Sequence, residues 1–177
     1  IKSESELQSW LNKNSTPYKN GYFLKCQDSI SFKNIHGTKG VICMTNQEIL
    51  DSYYKYNGFL GELLIQKYVV GEIDELVAVL MVLDEGSNII DYNIQKKLRA
   101  GGGKFGSTSL SVTLSNKKLL NEAQKLAKHL KCIGPVGMQF KFDEDDQEYK
   151  IMEINSRFSV GVSLAVGAGD NLPLCLI

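Results

Sequence analysis

The chain has 177 residues, 43% of them apolar and 23% charged, which is enough apolar side chain to bury the core of one domain, with one lobe or two. Its 20 basic residues balance its 20 acidic residues, so no net charge attracts nucleic acid or an anionic membrane surface. Any anion site must therefore be built locally.

The first part of the chain predicts two helices and three strands. The first helix follows Ser3 and Glu6, which have the spacing of a capping box. The second begins after Thr45, with Glu48 in its first turn. Apolar segments next to glycine or polar residues predict strands at Gly21–Lys25, Val41–Met44 and Leu63–Val70. A polar loop that ends in residues 36–40 is expected between the first two strands.

The middle of the chain predicts a strand pair and a glycine-rich connection. Leu76–Leu83 and Ser87–Asp91 are expected to pair antiparallel around the turn at residues 84–86. The glycine-rich stretch Ala100–Gly106 then precedes Ser107–Leu114, in which polar and apolar residues alternate.

The last part predicts a helix followed by a hairpin. Asn116–Leu130 has leucines and alanines on one helical face and lysines on the other. Gly134–Phe142 and Glu148–Asn155 predict two strands around an acidic loop. Mostly antiparallel strands with a few helices favour an α+β fold over a doubly wound sheet.

Membrane spans, zinc sites and disulfide frameworks are not expected. The apolar stretches fall short of the roughly 20 residues that cross a bilayer, and the N-terminus lacks a signal-peptide pattern, so the cytoplasm is the expected location. The four cysteines are scattered without histidines at ligand spacing, which favours buried reduced thiols. They are Cys26, Cys43, Cys132 and Cys175.

Three oxygen-bearing side chains and an arginine lie close together in the predicted hairpin. Alternation places Glu153 and Asn155 on one face of their strand, and the paired strand can set Gln139 opposite them. Such oxygen donors suit Mg²⁺, which completes its shell with phosphate oxygens. Arg157 can present a fixed bidentate charge to a phosphate or carboxylate. The alternative is a solvated strand face on which the glutamate and the arginine pair.

A second candidate joins a lysine to a loop that contains glycines. Lys25 lies at a strand end, and the loop that follows closes with Gly37, Thr38, Lys39 and Gly40. Glycines let backbone N–H groups approach a phosphate chain closely, and a lysine adds a point charge. The Walker A spacing is absent. The alternative is a glycine turn with a solvated lysine.

A third candidate lies where an apolar strand ends. Gln66, Lys67 and Tyr68 lead to Gly71 and Glu72. A strand that leaves its sheet exposes backbone groups that can read an adenine edge, and a carboxylate can accept hydrogen bonds from ribose hydroxyls. The alternative is a strand followed by an ordinary turn.

Taken in order, these segments resemble the ATP-grasp superfamily, most closely its branch of carbamoyl-phosphate synthase large-subunit-like ligases. The resemblance covers nearly the whole chain, and its most specific motif is the hairpin that ends in Glu-Ile-Asn-Ser-Arg at residues 153–157. The segments that carry it are Lys25, the glycine loop, Ile65–Glu72, Gly134–Phe140, Met152–Arg157 and Gly169–Pro173.

The resemblance implies a fold of two lobes, each of mostly antiparallel sheet with flanking helices, with the nucleotide between them. We expect a small lobe over about residues 15–66 and a large lobe over about residues 67–177. Because the chain starts at Ile1 and ends on the apolar run Leu172–Ile177, we expect a fragment of a longer protein. The N-terminal domain that precedes this fold in most such ligases is expected to be absent.

The resemblance also implies contacts to ATP. Lys25 would contact the α-phosphate side, and residues 37–40 would fold over the β- and γ-phosphates. Gln66, Lys67 and Tyr68 would flank the adenine, with Glu72 on the ribose.

Metal and phosphoryl contacts follow from the same resemblance. Gln139, Glu153 and Asn155 would hold one or two Mg²⁺ ions, for which Mn²⁺ is an alternative. Arg157 would steady the transferred phosphoryl group, with Lys25 as the second catalytic residue. Arg99 and Lys104 would lie on the acceptor side. Gln66 and Gln139 stand where many members carry an acidic residue, and a neutral ligand should weaken the second metal position.

The implied activity is that of an ATP-dependent ligase that joins a carboxylate or bicarbonate to an amine through an acyl phosphate. Homo-oligomers through further domains are expected. One rival is a nucleotide-binding or regulatory domain that keeps the fold without turnover. A second is an interaction module whose motif matches are accidental.

Overall fold

The computed structural model describes residues 1–60, 62–71, 76–101 and 106–176, without the side chains of residue 29 and residues 57–60. The chain divides into two compact units, Ile1–Val70 and Gly71–Ile177. The assignment of lobes to residues 15–66 and 67–177 stays a prediction. Within the described ranges, no helix has the length and apolar character that crossing a membrane requires.

As far as the structure describes it, the first unit is a three-stranded antiparallel sheet with three helices. The strands lie in the order β2-β1-β3. The elements in chain order are α1 (Glu4–Lys13), β1 (Tyr22–Cys26), α2 (Ser29–His36), β2 (Val41–Cys43), α3 (Asn46–Leu60) and β3 (Leu63–Lys67).

Alternation along β1 decides which face of this sheet is covered. Tyr22, Leu24 and Cys26 are buried in one cluster with side chains of all three helices. Phe23 and Lys25 point to the opposite face and are half-buried. The small sheet therefore has one face in the core and one face that carries Lys25.

The prediction of a polar loop before β2 is wrong, because most of that segment forms helix α2. Asp28 caps this helix by accepting hydrogen bonds from the backbone N–H groups of Ile30 and Ser31. Phe32 anchors the helix in the core with an exposed fraction of 3%. What remains of the loop is the short connection over residues 37–40.

In its described residues, the second unit is a five-stranded antiparallel sheet in the order β6-β5-β4-β7-β8, with two α-helices and a 3-10 helix. Its elements are β4 (Leu76–Leu83), β5 (Ile89–Gly101), β6 (Ser107–Thr113), α4 (Lys117–His129), β7 (Gly134–Asp143), β8 (Glu148–Asn155), α5 (Val162–Ala168) and the 3-10 helix (Leu172–Leu176).

The central strand β4 is apolar on both faces because each face is covered. Val77, Val79 and Met81 pack with α4. Leu80 and Val82 pack in a second cluster with residues of α5 and the 3-10 helix. We call the second side of the sheet the α5 face.

The helix over 116–130 and the hairpin of β7 and β8 confirm the sequence predictions, whereas β5 and the C-terminal segment differ from them. The strand expected over Ser87–Asp91 starts at Ile89 and runs to Gly101, inside the glycine-rich stretch. Helix α5 and the 3-10 helix were not predicted.

Candidate functional site

The pairing of β7 with β8 brings the predicted oxygen donors together. Gln139 is directly opposite Glu153, and Gly137 is opposite Asn155. The Asn155 side-chain amide donates a hydrogen bond to Glu153 Oε1 at 2.8 Å, which puts both side chains on one face. Gln139 and Glu153 are exposed and Asn155 is half-buried. We call these three side chains the oxygen cluster.

A β-bulge turns the oxygen cluster to its face of the sheet. The pairing passes from Phe140–Ile151 to Gln139–Glu153, so Met152 is an extra residue in β8. In an unbroken register Glu153 would lie opposite Met138, a buried residue on the side of α4. Bulges re-aim side chains in this way next to functional sites.

The oxygen cluster suits a hard divalent cation by its chemistry. Its members offer one carboxylate and two amide oxygens, the donor types that Mg²⁺ accepts. In the described ranges, no three His, Cys, Asp or Glu residues come together as ligands. The donor set therefore fits a cation that also takes phosphate oxygens and water, and does not fit a zinc centre.

Arg157 lies in the bend that follows β8, two residues after Asn155. Its side chain is exposed, and Nη1 donates to the backbone carbonyl of Phe158 at 3.2 Å. A Cβ added to Gly137 would lie 3.9 Å from the Arg157 carbonyl oxygen. The backbone of this bend therefore passes over the strand that carries Gln139.

In the first unit, Lys25 and Gln66 share the face of the small sheet that lies opposite the core. Lys25 pairs with Leu64, and Phe23 pairs with Gln66. Side chains directly across from each other in paired strands point the same way. The structure thus brings two predicted nucleotide contacts to one surface.

Lys67 points the other way, as its position next to Gln66 in a strand requires. Its Nζ lies 4.8 Å from the centroid of the Tyr18 ring. The Tyr68 backbone N–H donates to the Gly21 carbonyl at 3.0 Å. The side chains of Gln66 and Lys67 therefore do not line one surface. The predicted ribose contact, Glu72, lies outside the described residues.

Residues 37–40 form a tight turn that leads from α2 into β2. Gly37 has a φ of 73° and ends the helix, and Thr38 Oγ1 donates to the Gly40 carbonyl at 2.9 Å. A Cβ on Gly40 would lie 2.4 Å from the Leu24 carbonyl oxygen, so this position requires glycine. Lys39 is exposed.

On the acceptor side, Arg99 lies in β5 between two irregularities of its pairing with β6. Its Nε donates to Ser109 Oγ at 3.2 Å. Lys104 lies outside the described residues.

The two buried cysteines, Cys26 and Cys43, offer no activated thiol. Burial raises the pKa of both Cys26 and Cys43, which disfavours the nucleophilic thiolate. Cys132 and Cys175 are half-buried, and none of the four thiols forms a disulfide. The expectation of burial is right for two of the four.

Sequence reasoning missed three polar side chains on the α5 face. Asn93 and Gln95 in β5 and Lys141 in β7 are buried, with exposed fractions of 4%, 5% and 8%. Lys141 Nζ donates to the Gly71 carbonyl at 2.8 Å. Lys141 follows Gln139 by two residues in the same strand. Alternation alone could therefore have placed Lys141 on the same face as Gln139.

A family profile described as "ATP-grasp in the biosynthetic pathway with Ter operon" matches residues 75–177, more than half of the chain. The chain belongs to this ATP-grasp family. The profile covers the strands of the oxygen cluster, and it confirms the superfamily that the sequence motifs indicate. No curated protein matches the chain.

Solved structures of ATP-grasp ligases share the fold at low identity. The biotin carboxylase domain of Hydrogenobacter thermophilus 2-oxoglutarate carboxylase, solved with MgADP, ADP and bicarbonate, has a TM-score of 0.65 and 17% identity. N5-carboxyaminoimidazole ribonucleotide synthetase from Thermus thermophilus has a TM-score of 0.64 and 16% identity. D-alanyl-alanine synthetase A from Vibrio cholerae has a TM-score of 0.55 and 14% identity.

These alignments cover 92%, 94% and 88% of this ATP-grasp chain, but 36%, 41% and 47% of the respective neighbours. The chain thus spans less than half the length of each. The shared fold confirms the α+β architecture of antiparallel sheets with flanking helices.

Proposed function

We propose that the chain is the ATP-binding part of a ligase that joins a carboxylate or bicarbonate to an amine. The observation that carries this proposal is the oxygen cluster, which the bulge at Met152 turns onto one face within the region of the family match. Membership of the ATP-grasp family supports ATP as the substrate that the cluster serves. A carbamoyl-phosphate synthase-like reaction and a cytoplasmic location belong to the same proposal.

The proposed reaction has two steps. A carboxylate oxygen of the acceptor attacks the γ-phosphorus of ATP, the bond to the β-phosphate oxygen breaks, and ADP leaves. The amine then attacks the carbon of the acyl phosphate, inorganic phosphate leaves, and the amine loses a proton. Bicarbonate would react in the first step in the same way as a carboxylate.

The residues act by binding and orientation. Gln139, Glu153 and Asn155 would hold one or two Mg²⁺ ions, or Mn²⁺ in their place. When bound, the metal would offset the negative charge of the phosphates. Arg157 would contact the transferred phosphoryl group, where a charge fixed in position lowers the barrier. Lys25 would hold the α-phosphate side.

The remaining residues are proposed as contacts to the nucleotide and to the acceptor. Gln66 shares a face with Lys25. Lys67 and Tyr68 would flank the adenine with groups other than the Tyr68 backbone N–H, which donates to the Gly21 carbonyl. The turn over residues 37–40 would offer backbone N–H groups to the β- and γ-phosphates, and Glu72 would bind the ribose. Arg99 and Lys104 would serve the acceptor.

The proposal is tested by ADP release from Mg-ATP with a panel of carboxylates, bicarbonate and amines. Glu153→Ala should lower turnover by about two orders of magnitude or more, because the one carboxylate of the oxygen cluster is lost. Glu148→Ala, at the other end of the same strand, is the matched control and should leave turnover near that of the unchanged protein. Near-normal turnover in Glu153→Ala would refute the proposal.

A second candidate is a nucleotide-binding or regulatory domain without turnover. Gln139 favours it, because a neutral amide stands where many ATP-grasp enzymes carry an acidic metal ligand. Calorimetry separates the two candidates. Tight binding of ATP without ADP release, under every acceptor pair, would favour the second.

A further inference from the structure

Two buried amides in β5 hold the segment that follows β8. Gln95 Nε2 donates to the Gly161 carbonyl at 2.7 Å and to Asn93 Oδ1 at 2.9 Å. Asn93 Nδ2 donates to Asp170 Oδ2 at 2.7 Å. Buried polar groups are costly unless they are paired. These hydrogen bonds therefore fix Gly161 and Asp170, which flank α5, to the middle of the sheet.

The same amides lie in register with the oxygen cluster. Gln95 is opposite Ala78, which is opposite Gln139, and Gln139 is opposite Glu153. The side chains of one such row share a face of the sheet. Gln95 is thus on the α5 face, two strands from Gln139.

Residues 156–161 cross this face from the edge strand to β5. They leave β8 after Asn155 and reach Gln95 three strands away, a distance of about 14 Å at the usual strand spacing. Phe158 packs against the cluster of Leu80 and Val82 on the way. Arg157 lies in this crossing, between its start at β8 and its anchor at Gln95.

The anchor is tightly fitted. A Cβ on Gly161 would lie 2.3 Å from Gln95 Oε1 and 3.1 Å from its Cδ. No side chain larger than hydrogen fits at residue 161 unless Gln95 moves. Gln95 thus sets how closely the crossing segment approaches the sheet.

We propose that Gln95 is a positioning residue for Arg157. By holding the Gly161 carbonyl, it fixes the crossing segment so that the guanidinium stands beside the oxygen cluster. The hydrogen bond from Gln95 holds the crossing segment whether or not the protein is an enzyme. The effect of Gln95 on catalysis rests on the proposed function.

The placement is tested by hydrogen exchange in Gln95→Met, a substitution close in size that removes the amide donor. The backbone amides of Val162, Leu164 and Ala165, which donate to the carbonyls of Ser159 and Gly161, should exchange at least about tenfold faster, because the anchor is lost, while those of β4 stay unchanged. Gln47→Met, on the exposed surface of α3, is the matched control and should change neither. Unchanged exchange at Val162, Leu164 and Ala165 in Gln95→Met would overturn the proposal.

A second variant changes the other partner of the same contact, Gly161. Gly161→Ala forces Gln95 aside and should give the same local acceleration, together with faster tryptic cleavage after Arg157. If Gln95→Met fails to fold, this variant decides the question. Protection equal to that of the unchanged protein would overturn the proposal.

The link to Arg157 is tested by a double-mutant cycle on ADP release with Mg-ATP and bicarbonate. Gln95→Met should lower kcat about tenfold with little change in the KM for ATP, and should cause no further loss in an Arg157→Ala background. Losses that multiply would show that Gln95 acts elsewhere and would overturn the link. A wild-type protein without turnover under every acceptor pair of the panel would refute the proposed function, while the exchange data would still decide the placement.

Discussion

At the scale of single residues, the position of Glu153 shows what sequence alone could give. Alternation correctly placed Glu153 and Asn155 on one face. That this face is also the face of Gln139 depends on the bulge at Met152, which no local pattern reveals. The residue types of the oxygen cluster were thus predictable, but their convergence needed the register of two strands.

Gly40 gives a prediction about stability. Gly40→Ala should destabilise the protein by about 1–3 kcal/mol, because the new Cβ would meet the Leu24 carbonyl at 2.4 Å. Gly167→Ala is the control, since no atom lies within 4 Å of its Cβ position inside α5. It should stabilise by about 0.5–1 kcal/mol through helix propensity. Urea unfolding measures both, and equal effects of the two substitutions would contradict this reading.

Asp84 gives a prediction about pH. Hydrogen bonds from Asn88, and then from Gly86, hold the pKa of the Asp84 carboxyl below its ordinary value of 3.8. The folded state therefore favours the carboxylate. Its contribution to stability is complete above the unfolded pKa and is lost as the pH falls through the folded pKa.

The matching variant is Asp84→Asn. It should be less stable than the wild type at pH 7, and the difference should shrink as the pH falls below about 3.8. Chemical unfolding of both proteins across this range measures the difference. If the difference in stability stays constant as the pH falls, the charge of the Asp84 carboxylate does not stabilise the turn.

At the scale of helices and strands, the correct predictions concern elements whose own residues determine their structure. Helix α4 and the hairpin of β7 and β8 have strong periodicity and turn residues. Helix α2 was missed, because its eight residues show no clear apolar periodicity and its packing depends mainly on Phe32. The length of β5 was missed because its second half is fixed by pairing with β6, which is not a local property.

The bulge gives a prediction at this scale. Deletion of Met152 should restore an unbroken register in β8 and turn Glu153 towards the side of α4. The stabilisation of the protein by Mg-ATP in thermal unfolding should then disappear. Met152→Ala keeps the extra residue and should retain the stabilisation.

Circular dichroism would show whether the deletion variant stays folded, which its place in an edge strand favours. A folded deletion variant that Mg-ATP stabilises as strongly as the wild type would show that the bulge does not aim the site.

At the scale of the whole molecule, the ATP-grasp family profile matches only one of the two units. The family match begins at residue 75 and so falls within the second unit. The fold of the first unit is supported by the solved structures, whose alignments span most of the chain. The roles of Lys25 and Gln66 rest on the sequence motifs and on the face that they share.

The most direct test of the oxygen cluster as the metal site is calorimetric titration of ATP with and without Mg²⁺. The wild type should bind ATP much more tightly when Mg²⁺ is present. Glu153→Gln should weaken Mg-ATP binding by about tenfold or more, the scale of one lost charged contact, whereas Glu148→Gln should match the wild type. Equal affinities of the Glu153→Gln variant and the wild type for Mg-ATP would contradict the assignment of the oxygen cluster as the metal site.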